Sequence, residues 1–254
     1  VIGVFDSGIG GLSVLAEIRS VLPQADVLYV ADRGRAPYGP RSMGEVQAFS
    51  EEICSWLIGR GASTVVVACN TASAAALDHL RLRHPELPIV GMEPAVKPAV
   101  VATRSGVIAV FATQATFQGR LFESVVTRFA GDVTVLTAVC PEWVEAVEEG
   151  LVGGPDLESL VGERLNPAID AGADTVVLGC THFSFLQGTI RRLAGPGVRV
   201  IDAGPAVAIQ TSRVARMTEG TGTVTLAASG DLDRFAVLAR EIGGIISDEV
   251  IPFP

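Results

Sequence analysis

An eleven-residue segment occurs twice in this chain, and no other feature of the sequence restricts the fold as much. GASTVVVACNT (Gly61 to Thr71) matches GADTVVLGCTH (Gly172 to His182) at a constant spacing of 111 residues, so that Gly61 falls on Gly172, Thr64 on Thr175 and Cys69 on Cys180. A fainter echo, at a spacing of 106 residues, links GVFDS (Gly3 to Ser7) with AVFAT (Ala109 to Thr113). A β-branched run bounded by glycine on one side and polar residues on the other is the pattern of a strand buried on both faces. The repeat therefore predicts two similar halves, each with a buried strand that ends in a cysteine.

Short β-branched runs alternate with amphipathic stretches along the whole chain, as βα units around a parallel sheet do. Strands are predicted near 1–5, 25–31, 63–68, 88–91, 106–111, 132–138, 174–178, 198–201 and 223–228, with helices between them. Gly44 to Gly59 sets Val46, Phe49, Ile53, Trp56 and Leu57 at helical spacing, and Leu157 to Ala171 stops at Gly172 as a helix C-terminus does. The expected fold is α/β, two similar parallel-sheet domains related by a pseudo-twofold, with the active site in the cleft between them. Proline-containing joints at Pro94, Pro98 and Pro205 set the expected division: 1–93 plus 205–254 as the first domain and 94–204 as the second.

The 254 residues are 48% apolar, ample for a buried core, yet no apolar run approaches the about 18 residues of a membrane span. The opening VIGVFDSGIGG is interrupted by Asp6 and no basic segment precedes it, so neither a secretory leader nor a membrane partner is expected. Four cysteines (Cys54, Cys69, Cys140, Cys180) lie far apart without a CxxC pair, which argues against a disulfide framework and against bound zinc. No metal is expected, and a reducing cytoplasm is the expected compartment. With 19 basic against 28 acidic residues, a net charge of -9 and no basic stripe, nucleic acid is not an expected partner. Among the basic residues only Lys97 is a lysine, placed between Pro94 and Pro98. Pyridoxal phosphate needs a lysine Schiff base, so amino-acid chemistry here is expected to run without a cofactor.

In open parallel sheets ligands bind at the carboxyl ends of strands, where helix N-termini offer free N–H groups. Cys69 and Cys180 are both predicted there, followed by Asn70 and Thr71 in one half and by Thr181 and His182 in the other. A lone cysteine at a strand end is usually a small core residue. Two in repeat-equivalent positions, each with polar successors, point to chemistry instead. If the halves face each other, the thiols approach a substrate from opposite sides, and removing a proton from one face of a carbon while delivering one to the other inverts a stereocentre. A helix N-terminus lowers a thiol from its unperturbed pKa of about 8.5, leaving one thiolate base and one thiol acid near neutrality. Asp6, Asp32, Glu148 and His182 are the candidate neighbours. His182 alone is tied to a thiol by sequence, whereas His79 and His84 fall on a surface helix and its end.

FDSGIGG (Phe5 to Gly11) follows the first strand and opens a helix, so its N–H groups and the Ser7 hydroxyl are candidates for binding a carboxylate or ammonium group, although tight packing explains such a turn equally well. It is not a nucleotide fingerprint, because Ser13 stands where GxGxxG requires Gly or Ala and no Walker lysine is present. APYG (Ala36 to Gly39) either lines a pocket rim or simply makes a turn.

Taken together, DSGIGG (Asp6 to Gly11), PYG (Pro37 to Gly39), ACNTAS (Ala68 to Ser73), GCTHF (Gly179 to Phe183) and ASGD (Ala228 to Asp231) resemble the glutamate racemase family in order and spacing, over nearly the whole chain. The resemblance implies a two-domain α/β isomerase that interconverts L- and D-glutamate without cofactor and supplies D-glutamate for peptidoglycan. It implies that Cys69 and Cys180 are the catalytic thiols, assisted by Asp6, Glu148 and His182. It also implies that Asp6, Ser7, Tyr38, Gly39, Asn70, Thr71, Thr181 and His182 hold the substrate, and that Thr113 and Thr116 bind its side-chain carboxylate. Family members are often dimers, so a homodimer is among the expected assemblies. Two positions depart from the family pattern: Ser184 replaces a usual proline, and Gly119 replaces a loop serine. Other readings of the same residues are an aspartate racemase, a dithiol redox protein, a metal-binding module using Cys69, Cys180 and His182, and a catalytically silent binding protein on this fold.

Overall fold

Gly61 and Gly172, which open the two repeated segments, both adopt left-handed backbone with φ of 87° and 93°. L side chains rarely take that conformation, and each glycine turns the chain out of a helix into a strand. In the computed structural model, which describes residues 1–216 and 220–254, the chain begins with β1 (Ile2–Asp6), α1 (Leu12–Val21), β2 (Val27–Ala31), α2 (Met43–Gly59), β3 (Thr64–Val67), α3 (Asn70–Arg83), β4 (Ile89–Gly91) and α4 (Val96–Ala102). It continues through β5 (Val107–Ala112), α5 (Gln114–Gln118), α6 (Arg120–Phe129), β6 (Thr134–Val139), α7 (Pro141–Glu148), α8 (Pro155–Asp170), β7 (Thr175–Gly179), a 3-10 helix (Thr181–Leu186), α9 (Gln187–Ala194) and β8 (Arg199–Asp202). It closes with α10 (Gly204–Val214), β9 (Val224–Ala228), α11 (Leu232–Glu241) and β10 (Glu249–Pro252).

Two parallel sheets result, one ordered β10-β9-β2-β1-β3-β4 and the other β6-β5-β7-β8. Within the first, β2-β1-β3-β4 has the same winding as β6-β5-β7-β8, so the repeated segments occupy equivalent strands, β3 and β7. The fainter echo does too: Ser7 follows β1 as Thr113 follows β5. The expected parallel α/β halves are present. β1, β2, β3 and β7 are buried along their full length, as strands covered by helices on both faces must be.

Each of the nine predicted strands is found, but β10 is not among them. Its sequence, EVIP, is short and ends in proline, which carries no N–H for a ladder. Proline is tolerated here because, among the described residues, β10 is an edge strand that pairs with β9 alone. Both singled-out helices begin earlier than predicted. α2 starts at Met43 because Ser42 and Glu45 form a capping box, the Ser42 hydroxyl accepting from Glu45 N–H and the Glu45 carboxylate from Ser42 N–H. α8 starts at Pro155, a residue suited to a first helical position because its missing N–H would have no partner there.

Trp143 of α7 is the largest fully buried side chain and fixes that helix against the second sheet. It stacks on Phe111 of β5 at 5.1 Å and meets Phe183 of the 3-10 helix edge-on at 5.0 Å, and its ring N–H donates to the Leu160 carbonyl. The elements that follow both Cys140 and Cys180 are thus locked to one another. Among the described residues no helix is long and apolar enough to cross a membrane.

Candidate active site

Cys69 and Cys180 line one cavity of about 360 Å³, together with Ser7, Tyr38, Gly39, Asn70, Thr71, Thr113, Thr181 and His182. Its walls come from both sheets, through the segments after β1, β3, β5 and β7, which places it at the carboxyl ends of the strands. Asp6, Glu148 and Thr116 stand behind these residues and do not line the cavity. A larger groove of about 510 Å³ lies between α3, β4 and α10 and contains neither thiol. Lys97 is exposed over the Phe129 ring, outside the cavity. Among the described residues no three His, Cys, Asp or Glu side chains gather so as to hold a metal ion.

The two thiols have different surroundings. Cys69 is the N-cap of α3: its sulfur accepts the Ala72 N–H at 3.4 Å and lies 3.8 Å from the Ser7 hydroxyl. The sequence led us to expect a lowered pKa there, but burial and then the nearby Asp6 charge push it up to about 12, outweighing the two hydrogen bonds. A helix N-terminus offers only a partial charge, too little to compensate for the lost water. Cys180 precedes not an α-helix but the 3-10 helix, and among the described residues its sulfur accepts no backbone N–H. Its partner is the imidazole of His182, with Nδ1 at 3.6 Å.

His182 continues into a relay. Its Nε2–H donates to Glu148 Oε1 at 2.8 Å, and the same oxygen accepts the Ile9 N–H at 2.7 Å. Burial works against a charge on His182, yet its bonds to Cys180 and Glu148 win, and its pKa lies well above the ordinary histidine value. Burial likewise opposes ionisation of Glu148, but His182, the Ile9 N–H and Arg33 pull it down to about 2. Asp6 behaves in the opposite way. Burial raises it to about 6 against the lowering effects of His182, Gly8 N–H and Thr181. Its oxygens accept Gly8 N–H at 2.7 Å and the Thr181 hydroxyl at 3.0 Å, so it braces the turn after β1 against the residue next to Cys180.

Of the two readings of the DSGIGG turn, packing accounts for its glycines, while Ser7 lines the cavity. The Gly8 and Ile9 N–H groups bind the protein's own carboxylates, not a ligand. Its glycines are set by crowding: a Cβ at Gly8 would overlap Glu148 Oε1, one at Gly10 would overlap His182 Nδ1 and Thr181 Oγ1, and one at Gly11 would lie 2.6 Å from Asp6 Cβ. Gly10→Ala is expected to cost about 1–3 kcal/mol in urea unfolding, as overpacking does, and to lower turnover by displacing His182. Wild-type stability and turnover in that variant would show that the turn does not position the imidazole.

Asp32 bonds to groups other than the thiols. It accepts from the Tyr38 hydroxyl, from Arg35 at 2.6 Å and from the Ser229 hydroxyl at 2.9 Å, and so clamps the APYG loop to the ASGD segment. Tyr38 lines the cavity with its ring while its hydroxyl is committed to Asp32. Thr113 joins Thr71 at 2.8 Å and Thr116 at 2.9 Å in a chain of hydroxyls between the halves. Both atypical positions have a local explanation. Ser184 hydrogen-bonds Asp202 at the end of β8, and at Gly119 a Cβ would lie 2.7 Å from that of Ala74. His79 and His84 pair with Glu51, remote from the cavity.

Asn70 is buried in the cavity wall, and among the described residues neither its amide nitrogen nor its amide oxygen has a hydrogen-bond partner. A buried amide in that state is poised for a polar ligand. The sequence reading missed Gln114, Val139, Pro141, Val144 and Glu145 in the wall. It also missed Tyr29, whose buried hydroxyl donates to the Gly8 carbonyl at 2.8 Å beneath the turn. Only Gln114, as the residue after Thr113, lay next to a motif that could have drawn attention to it.

Known proteins resemble this chain throughout. The model of the Asp/Glu/hydantoin racemase family matches residues 11–211. A glutamate racemase of Roseiflexus sp. (strain RS-1) is 47% identical over 248 residues, covering 95% of this chain and 91% of that protein. Glutamate racemase isoform RacE1 from Bacillus anthracis superposes with a TM-score of 0.88 at 31% identity, over 100% of this chain and 97% of the other. Escherichia coli glutamate racemase, solved in complex with L-glutamate and the activator UDP-MurNAc-ala, superposes with a TM-score of 0.87 at 30% identity, over 99% and 97%.

Proposed function

The chain belongs to the glutamate racemases, within the Asp/Glu/hydantoin racemase family, and from that membership we propose that it interconverts L- and D-glutamate without a cofactor, using Cys69 and Cys180 as opposed acid and base. The observation that carries this reading is the pair of repeat-equivalent thiols on the walls of one cavity, each in a different electrostatic setting. One thiol of such a pair must be ready to give a proton and the other to take one. Cys69, pushed up to about 12, is set to give its proton first, and it becomes the base only in the state that holds the proton on Cys180 instead. Beside Cys180, the His182 imidazolium supplies the positive charge that a thiolate needs.

In this reading a thiolate removes the Cα proton from one face while the opposite thiol protonates the other, and the roles reverse for the other enantiomer. Asn70, with its unpartnered amide, and Ser7, Gly39, Thr71 and Thr181 hold the α-carboxylate and amino group, with Tyr38 packing alongside. Thr113, steadied by Thr116, receives the side-chain carboxylate. Asp6, Glu148 and His182 set the charge around the thiols. The domains divide as 1–93 with 205–254 and 94–204, the cavity between them. We place the reaction in the cytoplasm, where four free cysteines stay reduced, and its product in peptidoglycan synthesis.

The test is racemisation in D2O, from each enantiomer of glutamate, without added pyridoxal phosphate and with aspartate in parallel. Early in the reaction the product enantiomer should carry deuterium at Cα while the remaining substrate keeps its hydrogen, because the two thiols exchange independently with solvent. Product that retains the substrate's hydrogen would mean a single base, and turnover of aspartate alone would move the chain to the sister activity.

A further inference from the structure

We infer that Arg33 is a positioning residue for the thiol chemistry: by holding Glu148 Oε2 it presents Oε1 to His182 and keeps that imidazole directed at Cys180. The inference rests on the function proposed above. Arg33 Nε donates to Glu148 Oε2 at 3.1 Å, with 13% and 18% of the two side chains exposed, so water screens the pair only partly. Glu148 ends α7 in the second half, whereas Arg33 follows β2 in the first. The pair therefore ties the relay across the two halves, at the end of the carboxylate opposite to His182.

The loop that carries Arg33 is itself held. The Asp32 N–H donates to the Asp6 carbonyl at 3.0 Å, and the Gly34 N–H donates to the Ser229 hydroxyl at 2.8 Å. Arg33 thus extends from backbone pinned on both sides, which limits the entropy lost in fixing a long side chain. It lines a separate cavity of about 300 Å³, which shares Pro37, Val144 and Glu145 with the one that holds the thiols. From there Arg33 acts on the chemistry through Glu148. A carboxylate with one oxygen bound to a cation and the other bound to Ile9 N–H and His182 has little freedom to rotate.

The test compares Arg33→Ala, Arg33→Lys, Glu148→Gln and the double variant Arg33→Ala/Glu148→Gln in steady-state racemisation, with thermal unfolding of each. Arg33→Ala should lower kcat about tenfold, within the range of coupled neighbouring groups, and change KM less than about twofold. Arg33→Lys should recover most of that loss, since one charge-assisted bond is enough. In the Glu148→Gln background, loss of Arg33 should have no further effect on kcat. A rise in KM at unchanged kcat would overturn the inference by making Arg33 a substrate contact. Additive losses in the double variant would overturn it by making Arg33 a general support of the loop. An inactive parent protein would overturn the proposed function together with this inference, whereas Arg33→Ala as fast as an active parent would overturn this inference alone.

Discussion

Cys69→Ser and Cys180→Ser are each expected to lower kcat by about 100-fold or more, the usual cost of a missing acid or base, while the folded structure survives. Both side chains are nearly fully buried, at 5% and 6% exposure, so a substitution that changed their volume would mix a packing defect with a chemical one. Serine avoids this because the swap is nearly isosteric. At Cys69 it also keeps the helix cap, since a hydroxyl oxygen accepts the Ala72 N–H at least as well as sulfur does. Circular dichroism of glutamate would follow racemisation from each enantiomer, and thermal unfolding would verify the fold. In the proposed mechanism each thiol is base for one enantiomer and acid for the other, so either variant should lose turnover in both directions. A loss below about tenfold in a well-folded variant would remove that thiol from the mechanism.

The expectation that failed at Cys69 shows what sequence can and cannot supply. The repeat located the thiols, because strand and turn are local properties: Gly61 and Gly172, the TVVV and TVVL runs and the polar successors all lie within a few residues of one another. With its fainter echo, the repeat also aligns β1 with β5 and β3 with β7. The pKa of Cys69 depends instead on how much water leaves and on Asp6, which is 63 positions away in sequence but adjacent in space. Neither can be read from a helix start. The same reason hid Tyr29 beneath the Gly8 carbonyl and Arg33 against Glu148, contacts between strands or halves that no local pattern announces. His182 was legible because it sits two residues from Cys180. Glu148 stood among the candidate neighbours with nothing local to tie it to a thiol, since its bonds reach His182 and, in the other half, Ile9.

His182→Asn should lower kcat by about 100-fold, comparable to loss of a thiol, because it removes the cation beside Cys180. The substitution would also leave the mostly buried Glu148 carboxylate facing a neutral amide, with Arg33 and Ile9 N–H as partners. The pH dependence separates the effects. The folded-state pKa of His182 is raised above its ordinary value of 6.5, so its stabilisation is fully present below 6.5 and is lost as pH rises through the higher folded value. Wild type should therefore exceed His182→Asn in urea-derived stability most at mildly acidic pH, with the difference shrinking under alkaline conditions. Glu148 has the opposite sign: lowered from 4.5 to about 2, it contributes stability above 4.5 that is lost as pH falls toward 2. Adding Glu148→Gln to His182→Asn removes the stranded charge and should restore much of the stability at neutral pH. Turnover should stay low, because the imidazolium is still absent. If the double variant regained turnover along with stability, His182 would be acting through the fold alone and not as a cation beside Cys180.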